Sequence, residues 1–234
     1  MASILAPLKL NAPLPSHAQL PDKDDIPVRN SLEPWQRALL SETIDPALRK
    51  RNPAGDYFIG QDCGIYWEKT DPAPLGCKAP DWYLVLDVPR LLDGQMRRSY
   101  VLWQEMVAPF IILEYASDGG EEERDITPMR GKFWVYERRI RPPYYGIFLP
   151  EQPAIEMYHL VEDHFERMTP NAHGRYGLFS LGVELGIWQG KFADYDISWM
   201  RWWDAQGNLL LTGEEKAIRL AEKLKALGID PNQV

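Results

Sequence analysis

The sequence predicts an α/β fold in which helices flank a central mixed sheet, with an extended N-terminal arm over residues 1–29 and added C-terminal β-hairpins. Three observations carry this expectation. Two runs, Trp82-Tyr83-Leu84-Val85-Leu86-Asp87-Val88 and Phe110-Ile111-Ile112-Leu113-Glu114-Tyr115, combine the aromatic and branched residues that suit buried strands. After them, Met129, Phe133, Tyr136 and Ile140 recur at helical spacing, the pattern of a helix laid on a sheet. A chain of 234 residues, 45% of them hydrophobic, supplies one sizeable core. The expected organisation is the arm, a central domain over 30–211, and a C-terminal helix over 212–234 packed on or beside it.

In the arm, Pro7, Pro13, Pro15, Pro21 and Pro27 preclude a helix. Asn30 or Ser31 then caps a helix bearing Leu32, Trp35, Leu39 and Leu40 and ending near Asp45-Pro46. Tyr57-Phe58-Ile59 and Cys63 to Trp67 read as short strands, and a loop through Asp71-Pro72-Ala73-Pro74 delivers the chain to Asp81. Ser117-Asp118-Gly119-Gly120 stops the second long strand, Glu121-Glu122-Glu123 reads as an exposed charge run, and Thr127-Pro128 opens the next helix. Tyr144 to Leu149 returns to the sheet with Ile155 to Val161 as its hairpin partner. Leu178 to Trp188 and Trp199 to Trp203 are further strands. The last helix begins with a capping box formed by Thr212 and Glu215 and closes near Gly228, with Leu220, Leu224 and Leu227 on one side.

A net charge of −8 argues against broad, non-specific affinity for nucleic acid, although Arg124, Arg130, Lys132, Arg138, Arg139 and Arg141 concentrate positive charge in one segment. No apolar run approaches the length of a membrane span, and the N-terminus has no signal-peptide pattern, so the expected location is cytoplasmic, with no membrane partner. The two cysteines, Cys63 and Cys77, lack CxxC partners and read as reduced, small buried residues. The arm and the surplus of aromatic residues point to a homo-oligomer.

Three residues stand out. A lone charge in an apolar strand is costly to bury, so Glu114 is either a cation ligand or one member of a buried ion pair. Asp81, after Pro80, opens the other strand as a ligand or as a turn cap, and Lys132 flanks the helix stripe as a site residue or a solvated lysine. Two carboxylates and a lysine are the parts that metal-assisted phosphodiester hydrolysis needs: the acids hold the ion and the ammonium stabilises developing charge or orients water.

The order of these parts resembles the Uma2 family, members of the PD-(D/E)XK nuclease superfamily. The resemblance rests on Pro80-Asp81 at a strand start, Leu113-Glu114-Tyr115-Ala116-Ser117, Lys132 with Tyr136 four residues on, and Tyr144-Tyr145-Gly146-Ile147-Phe148. Leu185 to Gly190, Arg201-Trp202-Trp203-Asp204 and Gly207 to Glu215 look like the longer, cyanobacterial-type members. The resemblance implies a restriction-endonuclease-like fold and a magnesium-dependent endonuclease (manganese also serving) acting on DNA. It makes Asp81 and Glu114 the metal ligands and Lys132 the third catalytic residue, with Arg130, Arg138 and Tyr136 as substrate-binding candidates. The superfamily lysine two positions after the acid is replaced by Ala116, which motivates an alternative: a nuclease scaffold kept as a non-catalytic binding or interaction module.

Overall fold

A computed structural model describes residues 14–20, 32–116 and 118–231. These form two compact units: one holds residues 14–20, 32–33 and 52–169, the other residues 34–51 and 170–231. Most of the expected arm lies outside the described residues. The part that is described packs against its own unit: the His17 amide donates to Gln104 Oε1 at 3.1 Å, and Leu20 is buried with Tyr66 and Val101.

The first unit is built on a six-stranded mixed sheet. Its strands are β1 (Tyr57–Gly60), β4 (Trp82–Leu86), β6 (Ile111–Tyr115), β7 (Tyr144–Leu149), β8 (Ala154–Val161) and β9 (His164–Arg167), in the order β1-β4-β6-β7-β8-β9. Only β6 and β7 run parallel; every other neighbouring pair is antiparallel. The connection between the two parallel strands carries helix α3 (Lys132–Val135), the usual form of a parallel crossover. A small second sheet, β3-β2-β5, joins β3 (Cys77–Lys78) and β5 (Tyr100–Val101) to β2 (Ile65–Tyr66), and β5 leads into the one-turn helix α2 (Leu102–Glu105). This is the mixed α/β, restriction-endonuclease-like architecture that the sequence predicts.

α3 spans Lys132–Val135 and continues as a π-helical turn over Tyr136–Ile140. Tyr136 and Ile140 of the predicted stripe are buried with Val135 against Val85, Ile112 and Ile147 of the sheet, and Phe133 packs partly buried beside them, while the first stripe residue, Met129, is exposed and precedes the helix. The start of the helix differs from expectation. Thr127-Pro128 lies in a turn, with Gly131 amide bonded to Thr127 carbonyl at 2.8 Å and exposed Met129 at φ +65°, and the N-cap is Gly131. Asp125 sets this: its Oδ1 accepts from the Thr127 amide at 2.8 Å, an Asx turn that holds residues 125–127 out of the helix. A Cβ on Gly131 would meet the Asp125 carbonyl oxygen at 2.1 Å, so the N-cap must be glycine.

The second unit packs α1 (Glu33–Arg51) with a three-stranded sheet of β10 (Tyr176–Leu178), β11 (Val183–Phe192) and β12 (Tyr195–Asp204), followed by α4 (Gly213–Ala226). α1 runs through Pro46 rather than ending there. Ile44 and Leu48, on either side of that proline, are both buried, and their packing outweighs the missing amide. The aromatic surplus fills this core: Trp199, Trp202 and Trp203 are buried, and the Trp202 indole donates to the Leu40 carbonyl at 3.1 Å. The Thr212–Glu215 capping box is present, and Gly213 amide donates to Glu42 Oε1 at 2.6 Å. α4 itself buries none of its residues; Leu220 and Leu227 are exposed.

Candidate active site

Asp81 and Glu114 are brought together by strand register. β4 and β6 are antiparallel with Trp82 opposite Leu113, so one further step sets Asp81 opposite Glu114, at the distance where cross-strand side chains meet. Asp81 Oδ2 accepts the Tyr115 amide at 2.6 Å, which pins the carboxylate across the strand end. The two acids lie near enough for the charge of one to bear on the other. Burial, and then the charge of Glu114, push the Asp81 carboxyl well above the usual aspartate range.

Lys132 joins them from the first turn of α3. Its Nζ lies 3.1 Å from Glu114 Oε2 and 3.2 Å from Glu123 Oε1, with Glu122 Oε1 at 3.6 Å. Burial alone would lower its pKa, but the carboxylates of Glu114, Glu123, Asp81 and Glu122 together hold it above the ordinary lysine range. Lys132 is therefore an ammonium at neutral pH, a hydrogen-bond donor and point charge rather than a base.

Tyr136, one helical turn beyond Lys132, is fully buried, and its hydroxyl donates to Glu114 Oε1. Burial and the neighbouring Glu114 charge push that phenol far above its usual range, so it stays a donor. Both oxygens of Glu114 are thus engaged from the same helix, one by Lys132 and one by Tyr136. Of the expected substrate contacts, Tyr136 reaches the acid itself. Arg130 is exposed at the turn before α3, and Arg138 is exposed with its Nε 2.9 Å from Glu137 Oε2.

Two residues join the site that sequence reasoning did not place there. Glu123, expected in an exposed run with Glu121 and Glu122, is 1% exposed. The turn that follows Gly120 folds it inward, and the Tyr145 hydroxyl donates to its main-chain carbonyl at 2.8 Å. Burial raises its carboxyl pKa, against the pull of Lys132. Lys78, in β3 and three residues before Asp81, has its ammonium held below the usual range by burial and then by the charge of Lys132. No periodicity marks either residue: one sits in a turn, the other in a two-residue strand.

Ala116 is buried and lines a cleft of about 250 Å³ together with Gly119, Arg124, Leu149, Pro150, Glu151 and Gln152. No cation projects from that position, the first residue past β6. The cation at Glu114 comes from α3 instead.

Among the described residues, no group of three or more histidine, cysteine, aspartate or glutamate side chains is arranged to hold a metal ion. The donor chemistry at Asp81 and Glu114 nonetheless fits one. Magnesium usually takes only one or two carboxylates and keeps several waters, and here two acids lie side by side in a like-charge conflict that a cation would relieve.

The sequence profile of the family described as "Uma2: Putative restriction endonuclease" matches residues 27–193. The chain belongs to the Uma2 family. That match covers the whole six-stranded sheet and α3, and the family description points to nuclease function. No curated protein matches the chain closely enough to report. Among the described residues of this Uma2 protein, no helix is long and apolar enough to cross a membrane.

Proposed function

We propose that this Uma2 protein is a metal-dependent endonuclease that hydrolyses phosphodiester bonds in DNA, with Asp81 and Glu114 holding Mg²⁺, or Mn²⁺ in its place. The observation that carries the reading is the 3.1 Å contact between Lys132 Nζ and Glu114 Oε2, beside Asp81. It supplies from a helix the cation that Ala116 cannot supply from the strand.

The chemistry that the ion contributes when bound is polarisation of the phosphoryl oxygens and acidification of the attacking water. The chain's residues do the rest. Asp81 is fixed by the Tyr115 amide, and Glu114 is fixed by the Tyr136 hydroxyl, so neither carboxylate has to reorganise when a cation or phosphate arrives. Lys132, a permanent ammonium, donates toward the phosphate and stabilises the negative charge that builds on it. Arg130 and Arg138, both outside the buried cluster, meet the DNA backbone, whose recognition is dominated by phosphate contacts.

The test is incubation of the purified chain with supercoiled and linear DNA in the presence of Mg²⁺ or Mn²⁺, alongside Glu114→Ala and Asp81→Asn. Cleavage that depends on the ion and is lost in both variants is the expected result. Calorimetric titration with Mn²⁺ provides a second readout, with heat expected from the wild type and none from Asp81→Asn. DNA binding without cleavage, and without uptake of the ion, would instead make the chain a binding module on a nuclease scaffold.

A further inference from the structure

Lys132 has more than one anchor, and the anchors differ in kind. Glu114 Oε2 is 3.1 Å away, but Glu114 is also a proposed ligand. A divalent cation drawing on that carboxylate would share its charge and repel the ammonium beside it. Glu122 lies at 3.6 Å with its side chain 44% exposed, so water screens it. Glu123 is different. Its side chain is 2% exposed, its Oε1 lies 3.2 Å from Nζ, and its Oε2 is buried with no hydrogen-bond partner among the described residues.

The backbone around Glu123 is held as well. The Tyr145 hydroxyl bonds its carbonyl at 2.8 Å, and the next residue, Arg124, is tied to Glu156 at 2.8 Å. A buried carboxylate on a held backbone, whose side-chain donor among the described residues is the catalytic lysine, is placed to hold that lysine.

We propose that Glu123 is the positioning residue of the site, holding Lys132 beside Asp81 and Glu114 when Glu114 is engaged by a cation. The inference rests on the metal-dependent reading above and adds to it a residue that acts only through Lys132. Glu114 and Glu123 both anchor the lysine without a cation, and Glu123 keeps it there once a cation draws on Glu114.

The experiment uses the full chain with Glu123→Gln, Glu123→Ala and, as a control, Glu122→Gln. Lysine acetylation at fixed pH, mapped by mass spectrometry, reads the accessibility of Lys132 with and without saturating Mn²⁺. Calorimetry reads the affinity for Mn²⁺, and plasmid cleavage gives kcat and KM. In the wild type and in Glu122→Gln, addition of Mn²⁺ is expected to change Lys132 labelling by less than about twofold. In Glu123→Gln, labelling of the Mn²⁺-saturated protein should rise about fivefold or more, and kcat should fall about tenfold with KM nearly unchanged. Should Glu123→Ala not fold, Glu123→Gln keeps the shape and one acceptor oxygen while removing the charge.

Unchanged Lys132 labelling in Glu123→Gln overturns the inference. So does a loss of Mn²⁺ affinity of about tenfold or more in that variant, which would make Glu123 a ligand rather than a support. A wild type that neither takes up Mn²⁺ nor cleaves DNA brings down the metal-dependent reading, and this inference with it. A wild type that does both, beside a Glu123→Gln that behaves identically, brings down the inference alone.

Discussion

Each unit of the molecule buries a cation among acids, and the two clusters are built on opposite terms. In the second unit, Arg201 is fully buried and bonds both oxygens of Glu215, at 3.0 and 2.7 Å, while also donating to the Leu210 carbonyl at 2.8 Å and lying over the Trp188 ring. One charge meets one charge in a forked geometry that suits guanidinium and carboxylate. Burial alone would raise the Glu215 carboxyl, yet the bonds from Arg201 bring it below the ordinary range. In the first unit, Lys132 faces four carboxylates, and the Asp81 carboxyl is driven well above its ordinary range by burial and by Glu114. The matched pair holds a hairpin to a helix cap. The mismatched one sets four carboxyl groups around one ammonium, so burial and mutual repulsion drive two of them, Asp81 and Glu123, above their ordinary range.

The contrast is broken most severely by removing the matched cation. Arg201→Met leaves Glu215 without its partner and should cost about 3 kcal/mol in urea unfolding; a loss near zero would mean that the pair is incidental. The mismatched cluster should respond in the opposite direction. Asp81→Asn relieves the repulsion from Glu114 while keeping an acceptor for the Tyr115 amide, and should stabilise the chain by about 1 kcal/mol even as it removes cleavage. Thr212→Ala, which deletes the side-chain acceptor at the start of α4, should cost about 1 kcal/mol in the same measurement and leave cleavage untouched.

Acid sharpens the comparison with the smallest effect. Glu215 has a depressed carboxyl, so its contribution is complete above the unfolded value near 4.5 and is lost as pH falls through the folded one. Glu123 has a raised carboxyl, so the folded chain binds its proton first, and its contribution grows as pH falls through the folded value toward 4.5. Urea midpoints measured from neutral pH downward should show the wild type losing its advantage over Glu215→Gln and gaining relative to Glu123→Gln. Parallel curves would contradict the opposite environments.

β4, β6 and β7 were legible because burial on both faces writes itself as an unbroken apolar run, and Glu114 was legible as the one charge within such a run; the two-residue β3 and the mostly exposed β9 carry no such run and escaped. Asp81 followed from its place at the head of the neighbouring strand. What escaped lies where geometry is set by turns. Glu123 looks identical to Glu121 and Glu122 in composition, and only the fold after Gly120 separates the inward carboxylate from the outward ones. Gly120 sits at φ +83°, with Ala116, Arg124 and Leu149 against the space of a Cβ, so its glycine was the one signal that this turn is tightly packed. The start of α3 escaped for a related reason. Thr127-Pro128 satisfies the local rule for a helix start, but the Asx turn at Asp125 claims the threonine amide first. Pro46 shows the converse, a local stop signal overridden by burial on both sides.

The lysine of this centre stands eighteen residues after its acid, on a different element. A strand that carried both would hold acid and cation together in any fragment able to form that strand. Here the pair exists only after β6 has formed, the turn has folded and α3 has docked on the sheet. A chain still emerging, or one whose α3 has locally come loose, carries acids without their cation. Formation of the Lys132–Glu114 pair is thereby tied to completion of the tertiary fold, and a half-made molecule holds Glu114 without it.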